Sequence, residues 1–229
     1  MASPSRSEGP VASWPDPSVV EAWRPARLTI DPWLVLRLTG YRRRDAVTPP
    51  IWEAAVQMAG RAEALIEPRA LVVAAPVARV GPDGIELRDG TAFSGQAVRR
   101  LLTGCSHAVA FVLTLGPRLE AEAALLASRR ELLEAFLLET AGWAAIEGAV
   151  RGLRLDLAAR ARARDAKLSH RLAPGYVDWP LEEQRALLPL IPFADQLVRL
   201  TEHGLLVPLK SITGVFGLGG LGPAAGRHA

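Results

Sequence analysis

The stretch from Pro117 to about Ala166 constrains the fold most. It is rich in Ala, Leu, Glu and Arg, the strong helix formers, and reads as the longest helical region of the chain, broken near Ser128 to Arg130. In its second part Leu132, Phe136, Trp143, Ile146 and Val150 recur at helical spacing and share a stripe. A helix of that length at ~1.5 Å per residue needs an extended apolar surface to lie against. The expectation is that this stripe faces the core.

Shorter elements are read before and after it. Asp31-Pro32 reads as a helix start, with Asp as cap and Pro in the first turn, followed by Trp33 to Leu38 and closed by Gly40. Thr48-Pro49 opens a second helix to about Ile66, with Ile51, Ala55, Met58, Ala62 and Ile66 on one side. Ala70 to Val80 reads as a strand, Gly81-Pro82-Asp83-Gly84 as a turn and Ile85 to Arg88 as a second strand. Gln96 to Leu102 reads as a short helix and His107 to Leu115 as a buried strand. Pro180 to Leu190 reads as helix, Gly204 to Val207 and Lys210 to Phe216 as strands. Grouped helices with hairpin-like strands argue an α+β fold with a mostly antiparallel sheet. The expected organisation is a disordered tail over 1–18, a single domain over 19–218 and a flexible end over 219–229.

Composition narrows the function. In 229 residues, 27 Lys and Arg against 24 Asp and Glu leave a net charge of only +3, and the basic clusters (Arg42 to Arg44, Arg99-Arg100, Arg129-Arg130) are scattered. Nucleic-acid readers concentrate such charge on one face, so no nucleic-acid partner is expected. Cys105 is the single cysteine, which excludes an intrachain disulfide, and it opens an apolar run as a small buried thiol would. The four histidines show no metal-ligand spacing. No apolar run approaches the ~20 residues of a membrane span and no secretory leader is visible, so a soluble cytoplasmic protein is expected.

Binding chemistry concentrates in one stretch, Arg171-Leu-Ala-Pro-Gly-Tyr-Val-Asp-Trp-Pro-Leu-Glu-Glu-Gln184. Pro174 fixes its φ and Gly175 reaches φ values closed to other residues, so the corner turns backbone N–H and C=O groups outward. Arg171 offers a planar fork of donors matched to a carboxylate. Tyr176 offers a flat face and a hydroxyl. Together they suit a ligand with a carboxylate at one end and a heterocycle at the other, the shape of S-adenosylmethionine. The same residues also suit a plain loop between helices with a solvent-facing arginine.

The stretch resembles the signature of the activation (reactivation) domain of cobalamin-dependent methionine synthase. That family carries Arg-x-x-Pro-Gly-Tyr, followed in its shorter members by Asp-Trp-Pro-Leu-x-x-Gln. A second block, Leu200-Thr201-Glu202 and then Pro208-Leu-Lys-Ser-Ile-Thr-Gly214, is similar to the family's Leu-Thr-Glu-Ser and Pro-x-Lys-Ser-Val-Ser-Gly. Weaker similarities lie at Leu36 to Tyr41, Gly104-Cys105, Thr114 to Gly116 and Ala141 to Glu147, in the family's order from about Ile30 to Leu218. The resemblance implies a twisted sheet flanked by helices and a domain that holds a methyl donor instead of carrying a catalytic triad.

Carried residue by residue, the resemblance implies that Arg171 meets the ligand carboxylate. Backbone atoms of Ala173, Gly175 and Tyr176 would hold the adenosine portion. Asp31, whose Ile-Asp context resembles an acidic position near the family domain's start, is a candidate for the ligand's cationic groups, although an N-cap Asp needs no ligand. Glu139 and Glu147 lie within ~60° of the helical stripe, where a carboxylate needs a partner or an edge position. Glu147 matches a family acidic position better, and Asp165 matches another loosely. Lys210 and Ser211 would support the ligand loop or face a corrinoid partner, and Glu202 would brace Arg171. Val215 and Phe216 stand where longer family members carry aromatics.

Gly217 to Gly222 fits G-x-G-x-x-G, but only seven residues follow it, too few for the helix and acidic residue of a dinucleotide site. The chain also has no Asp-x-His-x-x-Gly, the motif that supplies cobalt's lower ligand. The resemblance therefore implies a stand-alone S-adenosylmethionine-binding protein that reactivates cobalamin held by a separate corrinoid-binding methionine synthase subunit, with a flavodoxin-like or ferredoxin-like electron donor. The alternatives are a non-catalytic module that caps a corrinoid protein or senses S-adenosylmethionine, and a reactivator of another corrinoid methyltransferase.

Overall fold

The apolar run from His107 to Thr114 lies inside the sheet, and its alternation explains why both faces of that sheet are covered. Val109, Phe111 and Leu113 belong to one core, while Ala108, Ala110 and Val112 belong to another. Successive side chains of a strand point to opposite faces, so an unbroken apolar strand needs cover on both. The computed structural model describes residues 19–25 and 27–220; the expected tail over 1–18 and the end from 221 lie outside them.

In chain order the elements are β1 (Glu21–Trp23), α1 (Pro32–Leu38), α2 (Pro49–Leu65), β2 (Arg69–Val80), β3 (Gly84–Leu87), β4 (Ala92–Ser94), α3 (Gln96–Leu102) and β5 (His107–Thr114). There follow α4 (Arg118–Ser128), α5 (Leu132–Arg162), β6 (Ala166–Leu172), α6 (Gln184–Leu187), β7 (Arg199–Leu200), β8 (Leu206–Val207) and β9 (Ser211–Gly220). The main sheet runs β4-β3-β2-β5-β9-β6, with β1 paired to β2, and β7 and β8 form a small ribbon of their own. Its pairings are antiparallel. The fold is α+β with an antiparallel sheet flanked by helices, as the sequence pattern argues.

Residues of α1, α2, α4 and α5 pack with one face of the sheet around Phe111 and Phe216, whose rings stack at 5.0 Å. Residues of α3 and the segment from Leu172 to Leu206 form the second core around Phe93 and Trp179. The helix break lies where Ser128 to Arg130 predict it, with Arg130 at φ 65° between α4 and α5.

Four expectations are corrected. Of the stripe on α5, Ile146 and Val150 are buried, but Leu132, Phe136 and Trp143 are more than half exposed. The helix buries Leu137, Leu138, Leu153 and Leu157 instead, interleaved with small residues such as Ala135, Ala141, Gly142, Ala145 and Ala149. Residues Pro180 to Leu190 form two 3-10 turns around the four-residue α6, because Pro189 has no N–H to continue a helix. Ala166 to Leu172, which sequence leaves unassigned, is an edge strand with a bulge between Leu168 and Arg171. Strand β9 runs on through Gly219 and Gly220, paired with Lys167 and Ala166. Its glycines answer a packing need: a Cβ at Gly217 would lie 2.6 Å from Cys105 Sγ. Among the described residues no helix is long and apolar enough to cross a membrane.

Candidate functional site

The Pro-Gly corner leaves the sheet directly from the end of β6. Gly175 takes φ 86°, and a tight loop closes as Gly175 N donates to Trp179 O at 2.8 Å and Trp179 N donates to Tyr176 O at 3.1 Å. Val177, at φ 57°, is the outlier, since a β-branched residue pays a steric penalty there, and it is 89% exposed. The loop holds because its second half is latched to the β4–α3 junction. Asp178 caps α3, accepting from Gln96 N at 2.7 Å and Ala97 N at 2.9 Å. The bond from Ala97 is the first cause holding the Asp178 carboxyl below its usual value. Trp179 is buried edge-on against Phe93 at 5.2 Å and donates Nε1–H to Glu183 at 2.6 Å. Glu183 in turn accepts from Ser94 N at 2.9 Å.

Gln184 continues the anchoring toward β9. It is buried, donates Nε2–H to Gly204 O at 2.7 Å and accepts from Thr213 Oγ1 at 3.0 Å. The residues after the corner therefore act as a structural brace, which leaves the corner itself free to face a ligand.

Arg171 sits opposite Phe216 in the sheet and reaches toward α5. Its Nη1 and Nη2 both donate to Glu147 Oε1 at 3.1 Å, and its guanidinium carbon lies 5.8 Å from the centre of the Tyr176 ring. Two donors share one oxygen, so the fork is not matched to both oxygens of a carboxylate. Glu147 and Tyr176 both line a cavity of about 450 Å³ whose wall includes Ala173 and Pro174. Ligand pockets run from ~300 to ~1,000 Å³. The far wall is Leu205, Leu209, Lys210 and Ser211, and the α5 wall is Glu139, Trp143, Ile146 and Glu147. Arg171 stands behind this lining, touching it through Glu147 and Tyr176.

On the opposite side Lys210 is buried, 2% exposed, and its ammonium pairs with Glu139. The same nitrogen lies 4.9 Å from the centre of the Trp143 ring, within cation–π range. Gly142 provides the space: a Cβ there would lie 2.8 Å from Lys210 Cε.

The structure brings Ala173, Tyr176, Glu147, Lys210 and Ser211 to the lining of one cavity, with Arg171 behind it in contact with Glu147 and Tyr176. Gly175 shapes the corner without lining the cavity. Asp31 does not reach it; its carboxylate accepts from Trp33 N at 2.9 Å as the N-cap of α1. Glu202 does not brace Arg171. Its backbone oxygen accepts from Arg185, and its side chain lines a separate surface pocket with Arg185 and His203. The bracing carboxylate is Glu147. Asp165 lies in the turn after α5, at φ 53°.

Sequence reading places Trp143 in the helical stripe, Gln184 in the first motif and Leu209 in the second, but assigns none of them to the site, and all three line the cavity. Trp143 stands out among small residues on α5, and the exception to that pattern was the available signal. No group of His, Cys, Asp and Glu among the described residues forms a metal cluster. Cys105 donates Sγ–H to Leu101 O at 3.4 Å, and burial pushes its thiol pKa up.

No protein-family model matches the chain, and no curated protein matches it. Among solved structures it is similar to a crystal structure of the MetH reactivation domain bound to AdoHcy. That similarity has a TM-score of 0.60 at 18% identity and covers 87% of this chain and 78% of that one. This likeness shows the fold.

Proposed function

We propose that this chain binds S-adenosylmethionine in the cavity between α5 and the Pro-Gly corner. We further propose that it supports reductive remethylation of cobalamin carried by a corrinoid-binding partner, with a split methionine synthase as the favoured setting. The observation that carries the reading is the convergence of the Arg171–Glu147 pair, the corner backbone and Lys210–Glu139 on one cavity of nucleoside size. The fold shared with a reactivation domain that binds AdoHcy supports it.

Each part of the ligand has a matching partner. The guanidinium of Arg171, released by one carboxylate, donates to another with a full two-bond fork. Carboxylates of Glu147 and Glu139 suit the ligand's ammonium and sulfonium. Tyr176, half-exposed at the rim, offers a face to the adenine, and backbone groups of Ala173 and Tyr176 offer hydrogen bonds to the nucleoside. The chemistry is transfer of the sulfonium methyl to reduced cobalt, leaving S-adenosylhomocysteine, with the electron supplied by an external donor protein. The chain's task is to hold the methyl carbon in line and exclude water, a matter of positioning rather than acid–base chemistry. Exposed Trp143, Tyr176, Leu205 and Leu209 surround the mouth, and an apolar rim of that kind suits closure by a partner.

Titration calorimetry tests the site. S-adenosylmethionine binds the wild-type chain saturably, and Arg171→Ala weakens it by about tenfold or more, since a charged hydrogen-bonded pair is worth roughly 1.5–3 kcal/mol. Unchanged affinity in Arg171→Ala refutes the residue assignment, and no binding to the wild type refutes the function. Methyl transfer to an added corrinoid protein, followed by visible absorbance, separates a reactivator from a binding module.

A further inference from the structure

We infer that the Lys210–Glu139 pair sets the charge of the cavity and so its preference between a sulfonium nucleoside and the neutral thioether left after methyl transfer. Lys210 is the residue that tempers this preference. The inference rests on the reading that the cavity takes S-adenosylmethionine.

A nearly fully buried lysine is costly unless something compensates it. Here three features are built around it. Glu139 takes its charge, Trp143 covers the ammonium with its ring, and residue 142 lacks the side chain that would collide with Lys210 Cε. Glu139 itself remains accessible, with its side chain 39% exposed, and lines the cavity. The carboxylate that faces a ligand is therefore neutralised from behind. Arg171 does the same for Glu147 on the other side. The lining as a whole is close to charge-balanced.

The two nucleosides differ by one methyl group and one positive charge at sulfur. Most contacts, including those to adenine and to the amino-acid end, are common to both and cancel in the ratio of affinities. What remains is the interaction of the site's charge with the sulfonium. A balanced site discriminates little on this term, so product is released from a cavity that does not hold substrate by charge alone. Removing the ammonium leaves an uncompensated carboxylate in the cavity wall; a unit charge roughly 10 Å away at an effective dielectric of ~20 is attracted by an amount worth about tenfold in affinity.

Wild type, Lys210→Met, Glu139→Gln and the double variant are titrated by calorimetry with S-adenosylmethionine and with S-adenosylhomocysteine. The readout is the ratio of the two affinities. Lys210→Met raises the preference for the sulfonium about tenfold and Glu139→Gln lowers it about tenfold, while the double variant stays within about threefold of wild type. A ratio equal in all four overturns the inference. So does a parallel loss of both ligands in Lys210→Met, which is what a purely structural lysine produces. Should Lys210→Met fail to fold, Glu139→Gln alone decides, and an unshifted ratio there overturns the inference. Wild type binding neither nucleoside refutes the reading of the cavity instead, an outcome distinct from the other two.

Discussion

Two glycine-to-alanine substitutions separate a helix that is merely a helix from one shaped around Lys210. Gly60 lies in the exposed middle of α2, and a Cβ there would meet nothing within 4 Å. Alanine at an exposed helix-interior site gains about 1 kcal/mol over glycine, so Gly60→Ala stabilises the chain by about that much. Gly142 lies buried in α5, and its Cβ would meet Lys210 Cε at 2.8 Å and the two Leu119 methyl groups at 3.0 and 3.3 Å. The end of a lysine normally swings aside, but this one is fixed by Glu139 and Trp143, and Leu119 is fully buried. Overpacking of this kind costs ~1–3 kcal/mol. It outweighs the helical gain and leaves Gly142→Ala destabilised by about 1 kcal/mol. Urea unfolding of both variants should therefore place them about 2 kcal/mol apart in opposite directions from wild type. Trimming the lysine should recover part of the loss, so Gly142→Ala is milder in a Lys210→Ala background than alone. If Gly142→Ala stabilises as much as Gly60→Ala, Lys210 is not held where the charge argument for the cavity needs it.

Trp179→Phe keeps an aromatic ring against Phe93 but removes the donor to Glu183. A stability loss of about 2 kcal/mol in urea is expected for a partly buried bond to a carboxylate, and no loss argues against the latch behind the corner. His107 is held below its ordinary pKa, first by burial and second by Arg88. The unfolded chain therefore takes up this proton more readily. Stability should be flat above the ordinary value of about 6.5, fall as pH drops from there through the lower folded value, and level off below it. Melting temperatures at neutral and mildly acidic pH check this, and His107→Gln should lessen the fall.

Much of the fold is legible because several elements satisfy one local rule without competition. Asp31-Pro32 and Thr48-Pro49 open α1 and α2 where caps and first-turn prolines place them. Gln96 to Leu102 is α3, and the unbroken apolar run at His107 is β5. The losses fall where tertiary partners decide. Ala166 to Leu172 carries only two large apolar residues, and pairing with β9 makes it a strand. The glycines from Gly217 read as a flexible end, yet their lack of side chains lets β9 pass close to Cys105. At the site, Arg171 and its corner were visible as a cluster of unusual residues. The choice of Glu147 over Glu202 as its partner was not, because it depends on the distance between β6 and α5.

Helix α5 is where hydrophobic periodicity misleads most. Hydrophobic periodicity gives weight to large side chains, and on this helix several of the largest, Leu132, Phe136 and Trp143, point outward. Seven of its fifteen buried residues are alanine, which scarcely registers in such a reading but packs without loss of side-chain entropy. Glu139 and Glu147 were singled out because they stand beside the outward line, on the supposition that it was buried. Leu132, Phe136 and Trp143 of that line face solvent while Ile146 and Val150 are buried, and of the two carboxylates Glu139 is half-buried and Glu147 exposed. Both have a cation, Glu139 from β9's leading edge and Glu147 from β6. The Arg171–Glu147 pair is partly exposed, and such pairs add little to stability, commonly ~0–1 kcal/mol, whereas buried Lys210 needs Glu139 as its counterion. The two carboxylates, eight residues apart on one helix, line one cavity with a cation beside each, an arrangement that suits the proposed ligand with its two signs of charge.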